Sequence, residues 1–158
     1  MAEAYIIDTV RTPVGKRGGS LSQIHPADLG AHTLKALVER TGIDAGAVDD
    51  VVMGCLDTIG SQAGDVGRTA WLAAGLPEHV PGTTIDRQCG SSQQAAHFAA
   101  QGVMAGAYDC VIAAGVEVMS LVPMGASFGR DVGFPFGEAV DRVGANALAI
   151  AEDGHAIG

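Results

Sequence analysis

Four short apolar runs, Tyr5-Ile6-Ile7, Val51-Val52-Met53, Thr83 to Arg87 and Cys110 to Ala114, are spaced so that one helical segment fits between each and the next. That rhythm belongs to a parallel α/β sheet, in which the chain crosses back through a helix before laying down the next strand. Pro26 suits a first helical turn, and Ala27, Ala31, Leu34 and Val38 recur at three to four residues until Gly42 stops the pattern. Val66, Ala70 and Ala73 place a second helix within Ala63 to Ala74, bounded by Gly75 and Pro77. A third helix is expected from about Ser91 to Ala105, ending at Gly106. Beyond Pro123 the pattern dissolves into glycines, with one short helix expected around Ala145 to Ile150.

At 158 residues the chain is long enough for one domain with a real core and too short for two ordinary ones. Its 23 glycines carry no collagen period, and no repeat or biased linker interrupts the pattern. Nine basic residues against eighteen acidic ones leave a net charge of −9. Such a field repels phosphate backbones and anionic lipid heads, so neither nucleic acid nor a membrane surface is an expected partner. The longest uncharged stretch, Gln88 to Tyr108, contains four glutamines, two serines and a histidine, which rules it out as a membrane span. The start Met-Ala-Glu-Ala-Tyr has no secretory character, so the expected location is the cytoplasm. Cys55, Cys89 and Cys110 read as free thiols, and the scattered histidines give no metal centre.

The chemistry is concentrated in Thr84-Ile85-Asp86-Arg87-Gln88-Cys89-Gly90-Ser91-Ser92-Gln93-Gln94-Ala95-Ala96. Here a cysteine sits where a buried strand turns into a helix, which aims its side chain at the carboxyl ends of the strands, where open α/β folds bind ligands. Gly90 permits a sharp bend. The unpaired N–H groups of a first helical turn place partial positive charge beside the sulfur, favour the thiolate and can hold an oxyanion. Cys89 therefore reads either as a covalent nucleophile or as a small buried residue at a helix start. The run Ala95, Ala96, Ala99, Ala100 and Gly102, suited to a helix buried between layers, tilts the reading toward the nucleophile. Cys110, expected inside a strand, should be inert, and Cys55, expected to face the same cleft, ranks well behind Cys89. His25 and His32 flank the first helix as surface residues, His97 reads as a core or interface side chain, and Glu117 at a strand end is left outside the site. Gly15-Lys16-Arg17-Gly18-Gly19-Ser20 lacks the spacing of a phosphate-binding loop and reads as a turn.

The segment from Asp86 through Ala96 resembles the nucleophile motif of the thiolase family, most closely its degradative members acting in fatty-acid and steroid breakdown. Three further stretches agree in order and separation. Val10-Arg11-Thr12-Pro13-Val14-Gly15-Lys16 is similar to the family's N-terminal strand and turn, Gly60-Ser61-Gln62 to Arg68 to its dimer-contact segment, and Gly115-Val116-Glu117-Val118-Met119-Ser120 to its Gly-x-Glu-x-Met-Ser strand end. The resemblance covers roughly residues 4–125. It implies an α/β, thiolase-like three-layer α/β/α half-domain over residues 1–125 with a mostly parallel sheet and the last strand of the half missing, followed over 126–158 by the start of a loop region or an irregular tail. It also implies acyl transfer between a 3-oxoacyl-CoA and coenzyme A, with Cys89 forming the acyl-enzyme and its own N–H serving as one oxyanion donor. Coenzyme A would be a co-substrate, no cofactor would be tightly bound, and the partner would be a second copy in a homodimer or tetramer, or another chain supplying the missing half.

The family's second cysteine in Cys-x-Gly, its histidine in Gly-His-Pro and its asparagine in Asn-Glu-Ala-Phe are not in this sequence. His155 in Gly154-His155-Ala156 and Cys110 do not match those motifs. By the resemblance, the chain is expected to be a fragment, a split subunit or the product of a damaged longer gene. The alternative to an acyltransferase is a noncatalytic thiolase-fold partner subunit.

Overall fold

The computed structural model describes residues 3–128. Helix α1 spans Pro26–Thr41, strand β1 Asp50–Gly54, helix α2 Val66–Ala73, strand β2 Gly82–Ile85, helix α3 Ser91–Met104 and strand β3 Val111–Gly115. The strands form one parallel sheet in the order β2-β1-β3, with Gly54 level with Ile85 on one side and Gly115 on the other. Successive side chains of a strand face opposite ways. Met53 accordingly lies close to Gly30 and Gly67, on the side of α1 and α2, while Gly54 abuts α3. The result is three layers, with α1 and α2 on one face and α3 on the other.

Each helix begins and ends for a local reason. Pro26 opens α1, His25 Nδ1 accepts the Ala27 N–H at 3.2 Å, and Gly42, left-handed at φ 66°, closes it with its N–H on the Val38 carbonyl. Helix α2 starts later than the apolar spacing suggested, because Gly64 (φ 71°) and Asp65 (φ 60°) are left-handed and cannot be part of a right-handed helix. Asp65 caps it instead, accepting the Arg68 N–H and the Thr84 hydroxyl. Trp71, fully buried, donates its indole N–H to the Pro77 carbonyl at 2.8 Å, which satisfies the polar edge of the largest core side chain. Around it pack Leu34, Val51, Met53, Val66, Ala70 and Val80.

Three expectations are corrected. The apolar run Tyr5-Ile6-Ile7 is not a strand: these side chains are exposed and the segment belongs to no ladder. A strand needs a neighbour to take its N–H and C=O groups, and none stands beside this one among the described residues. The third strand stops at Ile85 instead of Arg87, because the chain peels off the sheet to enter a turn. The fourth begins at Val111, so Cys110 lies just before it, with its N–H on the Asp49 carboxylate at 2.9 Å.

The edge of β3 away from β1 is unpaired among the described residues. A groove of about 1190 Å³ runs beside it, between the segment Asp8 to Gly18, α1 and the stretch from Ile112 to Met124. No helix of the described residues is long and apolar enough to cross a membrane. The change of character expected over 126–158, and the short helix near Ala145 to Ile150, fall outside the described residues except at positions 126–128.

Candidate active site

The carboxyl ends of the three strands converge on the start of α3. Gly54 and Gly115, the last residues of β1 and β3, lie directly beneath it. A Cβ on Gly54 would stand 2.3 Å from the Ser92 amide nitrogen, and one on Gly115 would stand 1.8 Å from the Ser92 hydroxyl oxygen. Two glycines in register thus let the helix N-terminus rest on the sheet edge, closer than any side chain would allow.

Between β2 and that helix the chain reverses. Asp86 Oδ1 accepts the Gln88 N–H at 2.8 Å, an Asx-type turn. Gln88 is left-handed at φ 50°, one of two non-glycine residues so placed among those described. The Gly90 N–H bonds the Arg87 carbonyl and the Ser91 N–H bonds the Gln88 carbonyl, both at 3.1 Å. The Ser91 hydroxyl adds two bonds, accepting from the Arg87 N–H at 2.9 Å and donating to the Gln88 carbonyl at 2.6 Å. The Arg87 guanidinium holds the side-chain carbonyl of buried Gln94, one turn along α3.

Cys89 sits at the apex of this turn with its side chain exposed. An exposed thiol at a helix start, on the carboxyl side of a parallel sheet, can reach an electrophilic carbonyl carbon. The amides of Gly90 and Ser91 are taken by the turn's own carbonyls. The oxyanion role expected for the first-turn amides therefore does not fall to these two.

The other cysteines are differently placed. Cys55 does not open onto the cleft; it is buried in the core cluster, with its N–H on the Ile85 carbonyl. Burial, the Glu117 carboxylate beside it, and Asp57 and Asp86 nearby push its thiol up to about 12. Cys110 is half-buried, and desolvation followed by the Asp49 charge raises its thiol above the ordinary range. Glu117, left outside the site by the sequence reading, joins two strand ends: its carboxylate accepts the Leu56 N–H at 2.8 Å and the Gln62 amide at 2.6 Å. Fully buried Gln62 completes the link by accepting the Val118 N–H at 2.8 Å. Only residues far apart in sequence meet here, so no local pattern signalled it. Helix α3 buries Ser91, Gln94, Ala95 and Ala99 against the sheet but leaves Ala96, His97 and Phe98 exposed, so among the described residues it is covered on one side only. His25 and His32 are exposed, as expected. Among the described residues no three His, Cys, Asp or Glu side chains are grouped to hold a metal ion.

The thiolase N-terminal domain family matches residues 4–157. A steroid 3-ketoacyl-CoA thiolase of Mycobacterium tuberculosis is 58% identical over 136 residues, covering 85% of this chain and 33% of that protein. A 3-oxoadipyl-CoA/3-oxo-5,6-dehydrosuberyl-CoA thiolase of Escherichia coli is 48% identical over 124 residues, covering 78% of this chain and 31% of that protein. Among solved structures, the Bacillus anthracis acetyl-CoA acetyltransferase superposes with a TM-score of 0.72 at 40% identity, over 76% of this chain and 30% of that one. The chain thus spans about a third of the length of the curated relatives it matches. With its parallel sheet, its turn at the head of α3 and a match to the family's N-terminal domain along nearly its whole length, this chain belongs to the thiolase family of acyltransferases.

Proposed function

We propose that the chain carries the nucleophile of a thiolase-type acyl transfer, with Cys89 as the residue acylated. The observation that supports this reading most directly is the placement of an exposed Cys89 thiol at the head of α3, in the segment that resembles the family's nucleophile motif. In the reaction, Cys89 Sγ gives up its proton and attacks the 3-keto carbon of a 3-oxoacyl-CoA. The bond between C2 and C3 breaks, and acetyl-CoA departs as a carbanion that takes a proton. The thiol of a second coenzyme A then attacks the acyl-cysteine, releasing the shortened acyl-CoA and the free thiol. The Cys89 N–H serves as one donor to the tetrahedral oxyanion of that second half. The substrate is proposed to be a 3-oxoacyl-CoA of the kinds that the names of the relatives give, a steroid 3-ketoacyl-CoA or a 3-oxoadipyl-CoA.

The test is covalent. The chain is incubated with isotopically labelled acetyl-CoA, whose acetyl group can pass to a cysteine as free coenzyme A leaves, and digested for mass spectrometry. Label is expected on the peptide containing Cys89, removable by added coenzyme A and lost in Cys89→Ala. Label on the Cys110 peptide in place of the Cys89 peptide would overturn the assignment.

A further inference from the structure

We propose that Ser91 is a positioning residue for Cys89, acting through the peptide that joins Gln88 to Cys89; the proposal rests on the reading of Cys89 as the nucleophile. The carbonyl of that peptide accepts two bonds, both from Ser91: the hydroxyl at 2.6 Å and the backbone N–H at 3.1 Å. A peptide group is planar, so fixing its C=O also fixes the direction of the N–H at its other end, which belongs to Cys89. The same hydroxyl accepts the Arg87 N–H at 2.9 Å, so it bridges the backbone on both sides of left-handed Gln88. Ser91 is only 4% exposed. A water molecule cannot readily replace the hydroxyl there, and removing it leaves the Arg87 N–H without its partner and the Gln88 carbonyl with one bond fewer. The neighbouring serine differs: Ser92 is exposed and stands over Gly54 and Gly115, in the room their missing side chains leave. Of the two serines after Gly90, only Ser91 aims the nucleophile.

Rates of iodoacetamide labelling, resolved by peptide mapping, test this, with Cys110 as an internal reference for the intact fold. In Ser91→Ala the Cys89 rate should fall about ten-fold relative to Cys110, the scale of losing the one hydroxyl bond that holds the Gln88 carbonyl. Ser91→Thr, which keeps the hydroxyl, should restore it, and Ser92→Ala should leave it unchanged. An unchanged Cys89 rate in Ser91→Ala, or failure of Ser91→Thr to restore it, would overturn the proposal. If Ser91→Ala does not fold, with Cys55 labelled as in denatured chain, Gln88→Gly decides. Glycine relaxes residue 88 but leaves the Ser91 bridge, so the Cys89 rate should stay within about two-fold of wild type. A ten-fold loss would assign the positioning to the Gln88 backbone and overturn the role of Ser91. A Cys89 no faster than Cys110 in the wild-type chain would remove the nucleophile reading itself, a result separate from equal Cys89 rates in wild type and Ser91→Ala.

Discussion

Three thiols in one short chain differ because of their neighbours. Cys89 is exposed at a turn, Cys110 is half-buried beside Asp49, and Cys55 is enclosed and faces carboxylates. Since the thiolate is the reacting form, labelling of folded chain should proceed at Cys89 first and at Cys55 last. Faster labelling of Cys55 or Cys110 than of Cys89 would contradict the site. The Cys55 thiol stands near 12 in the folded chain against an ordinary 9.0. It is raised, so its contribution to stability is whole below pH 9 and is lost as pH climbs toward 12, because only the unfolded chain can ionise it there. Urea midpoints should fall across that window, and the fall should be shallower in Cys55→Ala; Cys110 and Tyr108, raised in the same direction, add to the slope. Asp49 works at the other end. The backbone N–H groups of Cys110 and Asp109 hold its carboxyl below the usual range, so its contribution is present above 3.8 and disappears as pH falls through the lowered folded value. Asp49→Asn should therefore be less stable than wild type at neutral pH, with the difference closing on acidification.

At the scale of elements, what fixes the site is how closely α3 can approach the sheet. The two strand-end glycines make this contact, and their reason for being glycine is visible only in three dimensions: as a sequence, Gly54 reads as a turn residue. Gly54→Ala should cost about 3 kcal/mol, since the new Cβ meets backbone that cannot move aside without shifting the helix. Gly42→Ala should cost only about 1 kcal/mol, because it strains a left-handed cap with open space around it. Denaturant unfolding of the two variants checks the order. Equal costs would mean that α3 relaxes away from β1 freely. Helix α1 was legible because proline, glycine and apolar spacing agree at its ends, and α3 because glycines stand at both of its ends. The start of α2 was not, since two left-handed residues before it interrupt a spacing that continues past them.

For the whole molecule, the relation to longer relatives bears on what this chain does alone. The sequence contains none of the stretches Asn-Glu-Ala-Phe, Gly-His-Pro or Cys-x-Gly that the resembled family uses beside its nucleophile. Lack of general acid-base help costs ~10²- to 10⁴-fold per step, so the 158-residue chain by itself should show no ordinary steady-state thiolysis of acetoacetyl-CoA. Cys89-dependent turnover at normal enzyme rates would show that the chain carries a catalytic set of another kind. Self-association is proposed through the edge of β2 that is unpaired among the described residues and the segment from Gln62 to Arg68. Within that segment Gln62 and Arg68 use their side chains internally, the latter on the Val80 and Glu78 carbonyls, which leaves small Ala63 and Gly64 exposed. Sedimentation giving only monomer at micromolar concentration would count against it.

The amino-acid sequence by itself determined the α/β class, the order of the three helices and the three strands that form, and the place of Cys89 at a strand-to-helix turn. Each of these is written in local spacing, in capping residues and in one strand-to-helix segment. Whether Tyr5-Ile6-Ile7 forms a strand was decided only by the tertiary structure, because a strand exists through its neighbour and β-prone residues cannot supply one. The same holds for burial of Cys55, the bond network of Glu117 with Gln62, and the meeting of Gly54 with Gly115 under α3. These depend on parallel strands bringing residues about 60 positions apart into register, a juxtaposition with no local signature along the chain.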